Sequence, residues 1–322
     1  MRKARFRIHL PLQDVFSDYL MLTRPRVVLM VLVTTYVGFY LGSSGMLDWS
    51  RLLKTIIGTA LGAGGTLALN QYLERDVDAR MERTQFRPLP DGRLQPIEAL
   101  IFGSALAFTG PLYLIIAVNT LSGLVTATIV CSYLFGYTPL KQKSPLCSIV
   151  GAIPGAMPPV IGWVAARGEL GVEAWILFAI LFLWQIPHSL AIATLYREDY
   201  ARANIRVLPV VDRDGRRTGR LIVWSCLGLL VVSLLPTLTG LVGLIYLITA
   251  IVLGVMFLEC GFAAAMARSA ATARRLLFAS LLYLAVLIVA MAFDKTPRNA
   301  IAKLTQLTIN SDPIIQVWQE GR

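Results

Sequence analysis

Nine apolar runs, each about 20 residues long, lie at 27–44, 55–73, 97–118, 120–138, 146–166, 173–195, 221–239, 241–265 and 276–293. A hydrocarbon core about 30 Å thick is crossed by about 20 residues of α-helix, and a backbone in lipid must satisfy its own hydrogen bonds. The chain is therefore expected to be all-α, a multi-pass membrane helical bundle of about nine transmembrane helices. Only 15% of its residues are charged, against about 25% in soluble domains. No Gly/Ser-rich linker divides it, so the expected organisation is an arm over 1–26, one membrane domain over 27–293 and a tail over 294–322.

Lys and Arg are retained on the cytoplasmic side of a membrane. Of the 30 Lys and Arg, 23 fall in the N-terminal arm and the alternate connections that follow it, and 7 fall on the other side. The N-terminus and the long charged loops 74–96 and 196–220 are thus expected to be cytoplasmic, and the C-terminus outside. This bias, with attraction to the anionic lipid bilayer, accounts for the net charge of +11 and requires no nucleic acid. Cys131, Cys147, Cys226 and Cys260 lie in expected spans without a CxxC pair, which argues against a disulfide framework or a zinc site. The basic arm lacks a short apolar core with a cleavage site, so no removable signal peptide is expected. Its Val15, Phe16, Tyr19 and Leu22 have helical spacing, which suits either a helix on the membrane surface or a solvated tail.

The chemistry concentrates where the second apolar run ends. At about 100° per residue, Asn70, Glu74 and Asp78 advance by about 40° per step and form one stripe. Glu82 extends it if the helix continues, whereas Asp76 lies off it and is expected to pair with a neighbouring arginine. Hard oxygen ligands in a row suit Mg²⁺, which takes one or two carboxylates together with substrate phosphate oxygens. Arg83 and Arg87 precede Pro88-Leu89-Pro90, and Lys141 follows Tyr137-Thr138-Pro139-Leu140 on the same membrane face. Together these cations fit a metal diphosphate leaving group; singly, each is an ordinary positive-inside residue.

Farther along, His188 and Asp199 are eleven residues apart, about three turns, and on one continuous helix they share a face about 16 Å apart. Asp199, with Glu198, either completes the metal or phosphate site or is a solvated helix end. His188 is either a ligand to something in the bundle or a hydrogen-bonded core residue. Pro187 is expected to kink this helix. The fifth run holds Gly151, Pro154, Gly155, Pro158, Pro159 and Gly162, which suits a segment bent along a cavity or one packed closely through small residues.

Asn70-x-x-x-Glu74-x-x-x-Asp78, with Glu82-Arg83-Thr84 and Arg87-Pro88-Leu89-Pro90, resembles the first acidic motif of the UbiA superfamily of intramembrane prenyltransferases. Asp18 to Val27, Tyr137 to Lys141, Gly151 to Trp163, Trp184-Gln185-Ile186-Pro187-His188 and Glu198-Asp199-Tyr200 resemble its haem-farnesylating branch, and the likeness runs from about Asp18 to about Pro209. Glu74 departs from it, standing where Asp is usual.

The resemblance implies a UbiA-like fold and farnesyl transfer from farnesyl diphosphate to a vinyl group of haem B, giving a hydroxyethylfarnesyl haem and diphosphate. It also implies Mg²⁺ on Asn70, Glu74 and Asp78, catalytic roles for these three with Lys141 and Asp199, and substrate binding by Arg83, Arg87, Tyr137, Trp184 and His188. His188 would meet the haem iron or a propionate. A bacterial inner membrane is the implied location, with haem-processing or terminal-oxidase assembly proteins as partners. Two other readings share some of these features. A relative that prenylates an aromatic or quinone precursor would need the acidic stripe but has no evident use for His188. A transporter would use intramembrane acids and broken helices, yet here the acids cluster at one face.

Overall fold

The computed structural model describes residues 12–296, and the remaining parts of the arm and tail, 1–11 and 297–322, lie outside the described residues. Among the described residues nine helical segments are long and apolar enough to cross a membrane: Pro25–Gly42, Trp49–Asp78, Pro96–Ala117, Thr120–Lys143, Cys147–Arg167, Val172–Leu195, Arg216–Leu238, Leu244–Ala267 and Ala270–Phe293. No strand occurs among them, apart from an isolated bridge between Val242 and Lys295.

Helix α1 (Leu12–Thr23) precedes the spans. The first four are α2 (Pro25–Gly42), α3 (Trp49–Asp78), α4 (Pro96–Ala117), and α5 (Thr120–Cys131) continued through a π-helical stretch, Ser132–Tyr137, into α6 (Thr138–Lys143). The fifth is split into α7 (Cys147–Ala156) and α8 (Pro158–Arg167), and the sixth is α9 (Val172–Leu195). Short helices α10 (Arg197–Arg202) and α11 (Leu208–Val211) follow, then α12 (Arg216–Val232), α13 (Leu235–Leu238), α14 (Leu244–Ala267) and α15 (Ala270–Phe293).

Local chemistry sets the boundaries. Pro25 starts α2, where a fixed φ and a missing N–H cost nothing, after Arg24 turns the chain at a φ of 50°. Asp48 caps α3 by accepting from the Arg51 N–H at 2.9 Å. Gln95 and Glu98 form a reciprocal cap on α4. Helix α3 runs beyond the apolar run on both sides, from the Asp48 cap at one end to buried Glu74 and Asp78 at the other.

The spans close into a ring: α3 lies along α4, α2 along α8, α7, α12 and α15 along α9, α14 along α12 and α15, and α15 returns to α2. Small residues bring backbones together where the ring is tightest. A Cβ on Gly162 would stand 1.9 Å from the Thr35 carbonyl oxygen on α2, and one on Gly65 would stand 2.2 Å from the Ala107 nitrogen on α4. Phe108, Ile116, Leu244 and Val252 stand exposed on the outside, which suits lipid and would be a liability in water.

Helix α1 corrects the solvated-tail alternative. Leu22 is fully buried among Ala68, Leu89, Leu94 and Ala99, Tyr19 meets Phe102 edge-on at 5.0 Å, and only Phe16 of the expected stripe is largely exposed. Asp18, also buried, pairs with Arg93, and the Gln71 amide donates to the Met21 and Leu22 carbonyls at 3.1 and 2.8 Å. These contacts fasten α1 beside the charged end of α3.

Candidate active site at the mouth of the bundle

Asn70, Glu74 and Asp78 occupy one face of α3, none more than 3% exposed. Burial on this scale needs partners, since an isolated charge in a low dielectric is prohibitive. Lys141, brought in by α6, donates to both Glu74 oxygens at 3.1 Å. Arg87 donates to Asp78 Oδ2 at 2.5 Å from the turn after α3, and Thr84 holds that turn by donating to the Asp78 carbonyl at 2.8 Å. The Asn70 amide donates to Thr138 Oγ1 at 3.2 Å, which in turn donates to the Tyr133 carbonyl.

Two polar atoms here stay open. Asp78 Oδ1 and Arg24 Nε are buried without a hydrogen-bond partner. Arg24 lies close to Arg87: burial lowers the Arg87 pKa, the charge of Arg24 lowers it further, and Asp78 opposes both. Buried cations gathered around carboxylates with an oxygen and an N–H still open suit a metal-bound anion. Among the described residues no three His, Cys, Asp or Glu side chains converge. A divalent cation here would therefore complete its shell with the Asn70 amide oxygen and substrate oxygens, as Mg²⁺ commonly does.

The second charged loop meets the first. Asp199, 7% exposed, accepts from the backbone N–H groups of Glu82 and Arg83 at 3.1 and 3.4 Å and from Arg202 at 2.5 Å. Burial pushes its pKa upward, but these hydrogen bonds outweigh that and hold the carboxyl below the usual range. Arg83 lies over the Tyr196 ring at 5.1 Å. Glu82 does not extend the stripe, because α3 ends at Asp78; it is exposed and pairs with Arg202 at 3.0 Å. Asp76, also exposed, stands 3.9 Å from Arg75.

The expected continuous helix from His188 to Asp199 is broken at Tyr196, where φ is −105° and ψ is 28°. Asp199 consequently sits on α10 and turns to the Arg83 loop, while His188 faces the bundle interior. There His188 Nδ1 contacts Ser280 Oγ at 2.7 Å, and Trp184 stacks on its ring at 4.8 Å while donating to the Ser280 carbonyl. Helix α9 continues through Pro187. Pro154, Gly155 and Pro158 line the cavity beside it, whereas Gly162 packs against α2, so the fifth span serves both of its expected purposes.

That cavity has a volume of about 410 Å³ and mostly apolar walls from α2, α3, α5, α7, α8, α9 and α15, with His188 and Trp184 among them. A smaller chamber of about 120 Å³ contains Tyr137, Lys141 and Ser189. Tyr133 and Gln185 line both. Tyr133 and Tyr137 lie in the π-helical stretch, an irregularity common at functional sites.

The structure thus gathers Asn70, Glu74, Asp78, Arg87 and Lys141, sets Tyr137 beside Lys141, ties Arg83 to Asp199, and keeps Trp184 and His188 in the apolar chamber. Sequence reasoning gave no role to Arg24, Thr138 or Gln185. A signal existed for Arg24, since the residue before a proline is conformationally restricted and this arginine interrupts two helices. For Gln185 the signal was its place in the Trp184-Gln185-Ile186-Pro187-His188 segment, which gave it no role of its own.

The description "UbiA prenyltransferase family" belongs to a family model that matches residues 31–293. The chain is 48% identical to a protoheme IX farnesyltransferase of Solibacter usitatus, covering 86% of this chain and 98% of that protein. A protoheme IX farnesyltransferase of Aquifex aeolicus is 39% identical, with 88% and 96% covered. Among solved structures, a digeranylgeranylglyceryl phosphate synthase superposes with a TM-score of 0.75 at 16% identity, over 87% of this chain and 98% of that one. A UbiA homolog from Archaeoglobus fulgidus bound to GPP and Mg²⁺ gives 0.59 at 18% identity, over 85% and 99%.

Proposed function

The chain belongs to the UbiA prenyltransferase family, and we propose that it transfers the farnesyl group of farnesyl diphosphate to a vinyl side chain of haem B. The observation that carries this reading is two unlike sites side by side: the buried charged cluster of Glu74, Asp78, Arg87 and Lys141, and an apolar cavity with His188 in its wall, with a small chamber beside Lys141 that shares Tyr133 and Gln185 with that cavity. A prenyl diphosphate has one charged end and one apolar end, and haem is a large apolar disc. The relatives of matching length carry the same activity in their name.

The C1–O bond of farnesyl diphosphate breaks, the vinyl terminal carbon bonds to C1, and the cation left on the inner vinyl carbon takes a water oxygen. Diphosphate leaves, and the water proton passes to it. The product carries a hydroxyl and a farnesyl chain on the former vinyl group.

Asn70, Glu74 and Asp78 would hold Mg²⁺, as the open Asp78 Oδ1 favours. When bound, the ion neutralises the departing diphosphate. Arg24, Arg87 and Lys141 add positive charge already gathered where negative charge grows, and Arg83 adds to it from the adjoining loop, where it lies over Tyr196. Asp199 positions Arg83 by holding its backbone. His188 keeps its ring fixed through Ser280, which leaves Nε2 as the nitrogen for haem, toward the iron or a propionate. The apolar walls keep bulk water away from farnesyl C1 until the carbon–carbon bond has formed. The chain is an integral multi-pass membrane protein; the charge bias supports a mouth on the cytoplasmic side, and a bacterial inner membrane is the location this reading implies.

The test is direct: membranes containing the protein are incubated with haem B, farnesyl diphosphate and Mg²⁺, and the extracted haem is weighed by mass spectrometry. A farnesylated, hydrated haem is expected. Its absence under conditions where the Aquifex protein succeeds overturns the reading. His188→Ala should weaken haem retention more than farnesyl diphosphate binding; equal haem retention removes the proposed role of His188.

A further inference from the structure

Adding water at the right moment is a separate problem from breaking the diphosphate bond. An allylic cation exposed to water too early gives farnesol, whereas the later cation on the haem side chain must meet water or lose a proton. The water therefore has to sit beside the haem side chain without reaching farnesyl C1 first. If the diphosphate lies at the charged cluster that Lys141 joins to the smaller chamber, and the haem lies in the apolar cavity, both reacting carbons lie near the residues that the two chambers share, here called the neck, and the water belongs there.

Two polar side chains form that neck, Gln185 and Tyr133. Neither the Gln185 amide nor the Tyr133 hydroxyl bonds to a protein group among the described residues, and neither is sealed from the cavity. The other cavity hydroxyls are less available: Thr34, Thr66 and Thr126 donate to carbonyls of their own helices, and Thr59 Oγ1 is buried. Gln185 also has a dedicated seat. A Cβ on Gly155 would stand 2.3 Å from Gln185 Oε1, so the glycine on α7 leaves the space that the amide fills. An amide accepts through its oxygen and donates through its nitrogen, and it is too weak a base to take a proton before the cation exists.

We propose that Gln185 holds, at the neck between the chambers, the water that attacks the haem-side cation, with Tyr133 as its second hydrogen-bonding partner. The water oxygen supplies the electron pair for the new C–O bond, and its proton goes to the diphosphate released at the adjoining charged cluster. Without the held water, the same cation loses a proton from the neighbouring carbon and gives an alkene, a farnesylated haem lighter by one water. This assignment rests on the farnesyl-transfer reading.

The experiment compares extracted haem products from wild type, Gln185→Leu, Gln185→Glu and Gly155→Ala in membranes, with protein amount and monodispersity checked in detergent. In Gln185→Leu the ratio of dehydrated to hydroxylated adduct should rise by at least about tenfold. Gln185→Glu, which keeps an acceptor oxygen in place, should restore the hydroxylated product, and Gly155→Ala, which displaces the amide without removing it, should shift the ratio in the direction of Gln185→Leu. An unchanged ratio in a well-folded Gln185→Leu protein overturns the assignment, and so does loss of both adducts, because Gln185 would then act before the carbon–carbon bond forms. If Gln185→Leu does not fold, the ratios in Gln185→Glu and Gly155→Ala decide. Absence of any adduct from the wild type overturns the farnesyl-transfer reading instead.

Discussion

The two ends of the bundle both engage charged side chains, but they use them differently. At the end away from the mouth, Lys295 donates to the Tyr40 and Ser43 carbonyls at 2.5 and 2.7 Å and lies over the Tyr40 ring. Asp294 accepts from the Tyr246 N–H at 2.7 Å, and Asn119 ties α5 to the Val164 carbonyl at 2.9 Å. Each of these side chains is spent on backbone groups that helix termini leave open. At the mouth, Glu74, Asp78, Arg87 and Lys141 are spent mainly on one another, and Asp78 Oδ1 and Arg24 Nε are left over. The far end spends its polar side chains on open backbone groups; the candidate active site keeps charges poised against each other with valence to spare.

The comparison breaks first, and by the largest margin, at Asp78. Asp78→Asn should lower kcat by at least about 10²-fold, the scale for losing one preorganised electrostatic group, while protein yield and helix content by circular dichroism persist. Asp78→Ala should in addition destabilise, since it strands the guanidinium of Arg87, and unpairing a buried ion pair costs about 3–5 kcal/mol. Should Asp78→Asn lose stability and keep turnover, the mouth would be a second structural clasp and the contrast between the ends would fail.

Much of this contrast was readable from residue order, for reasons that particular positions show. Nine spans followed from length and hydropathy because lipid allows the backbone few alternatives. The stripe of Asn70, Glu74 and Asp78 followed from helical spacing alone. Its end did not: spacing left open whether the helix continued to Glu82, and α3 stops at Asp78. The break at Tyr196, which separates His188 from Asp199, has no proline or glycine to announce it. Gln185 reads as one polar residue in an apolar helix; only the packing of Gly155 and the joining of two chambers gives it a place. Contacts across more than 50 residues, such as Asp199 to the amides of Glu82 and Arg83, are tertiary facts with no local pattern.

At the far end the expected effect is smaller and of another kind. Lys295→Met removes two charged hydrogen bonds to carbonyls, each worth about 1.5–3 kcal/mol at most. The melting temperature in detergent should fall, and kcat measured well below melting should be unchanged. A loss of kcat with normal melting would mean that the far end also communicates with the chemistry.

The smallest effect expected is the acid sensitivity of the contact between the loops. Asp199 is held below its ordinary pKa in the folded protein, so folding favours the ionised carboxylate. That contribution is complete above the unfolded carboxylate pKa of about 3.9 and is lost as pH falls through the lowered folded value. Melting curves in detergent between about pH 6 and about pH 3 should therefore show wild type losing stability at the acid end. Asp199→Asn, which has no proton to take up, should lack that part of the decline and start from a lower value at neutral pH. Parallel curves for the two proteins would show that Asp199 does not carry its charge into the contact. Its grip on the Glu82 and Arg83 amides would then be an ordinary helix-end contact, like those of Asp294 and Asn119 at the far end.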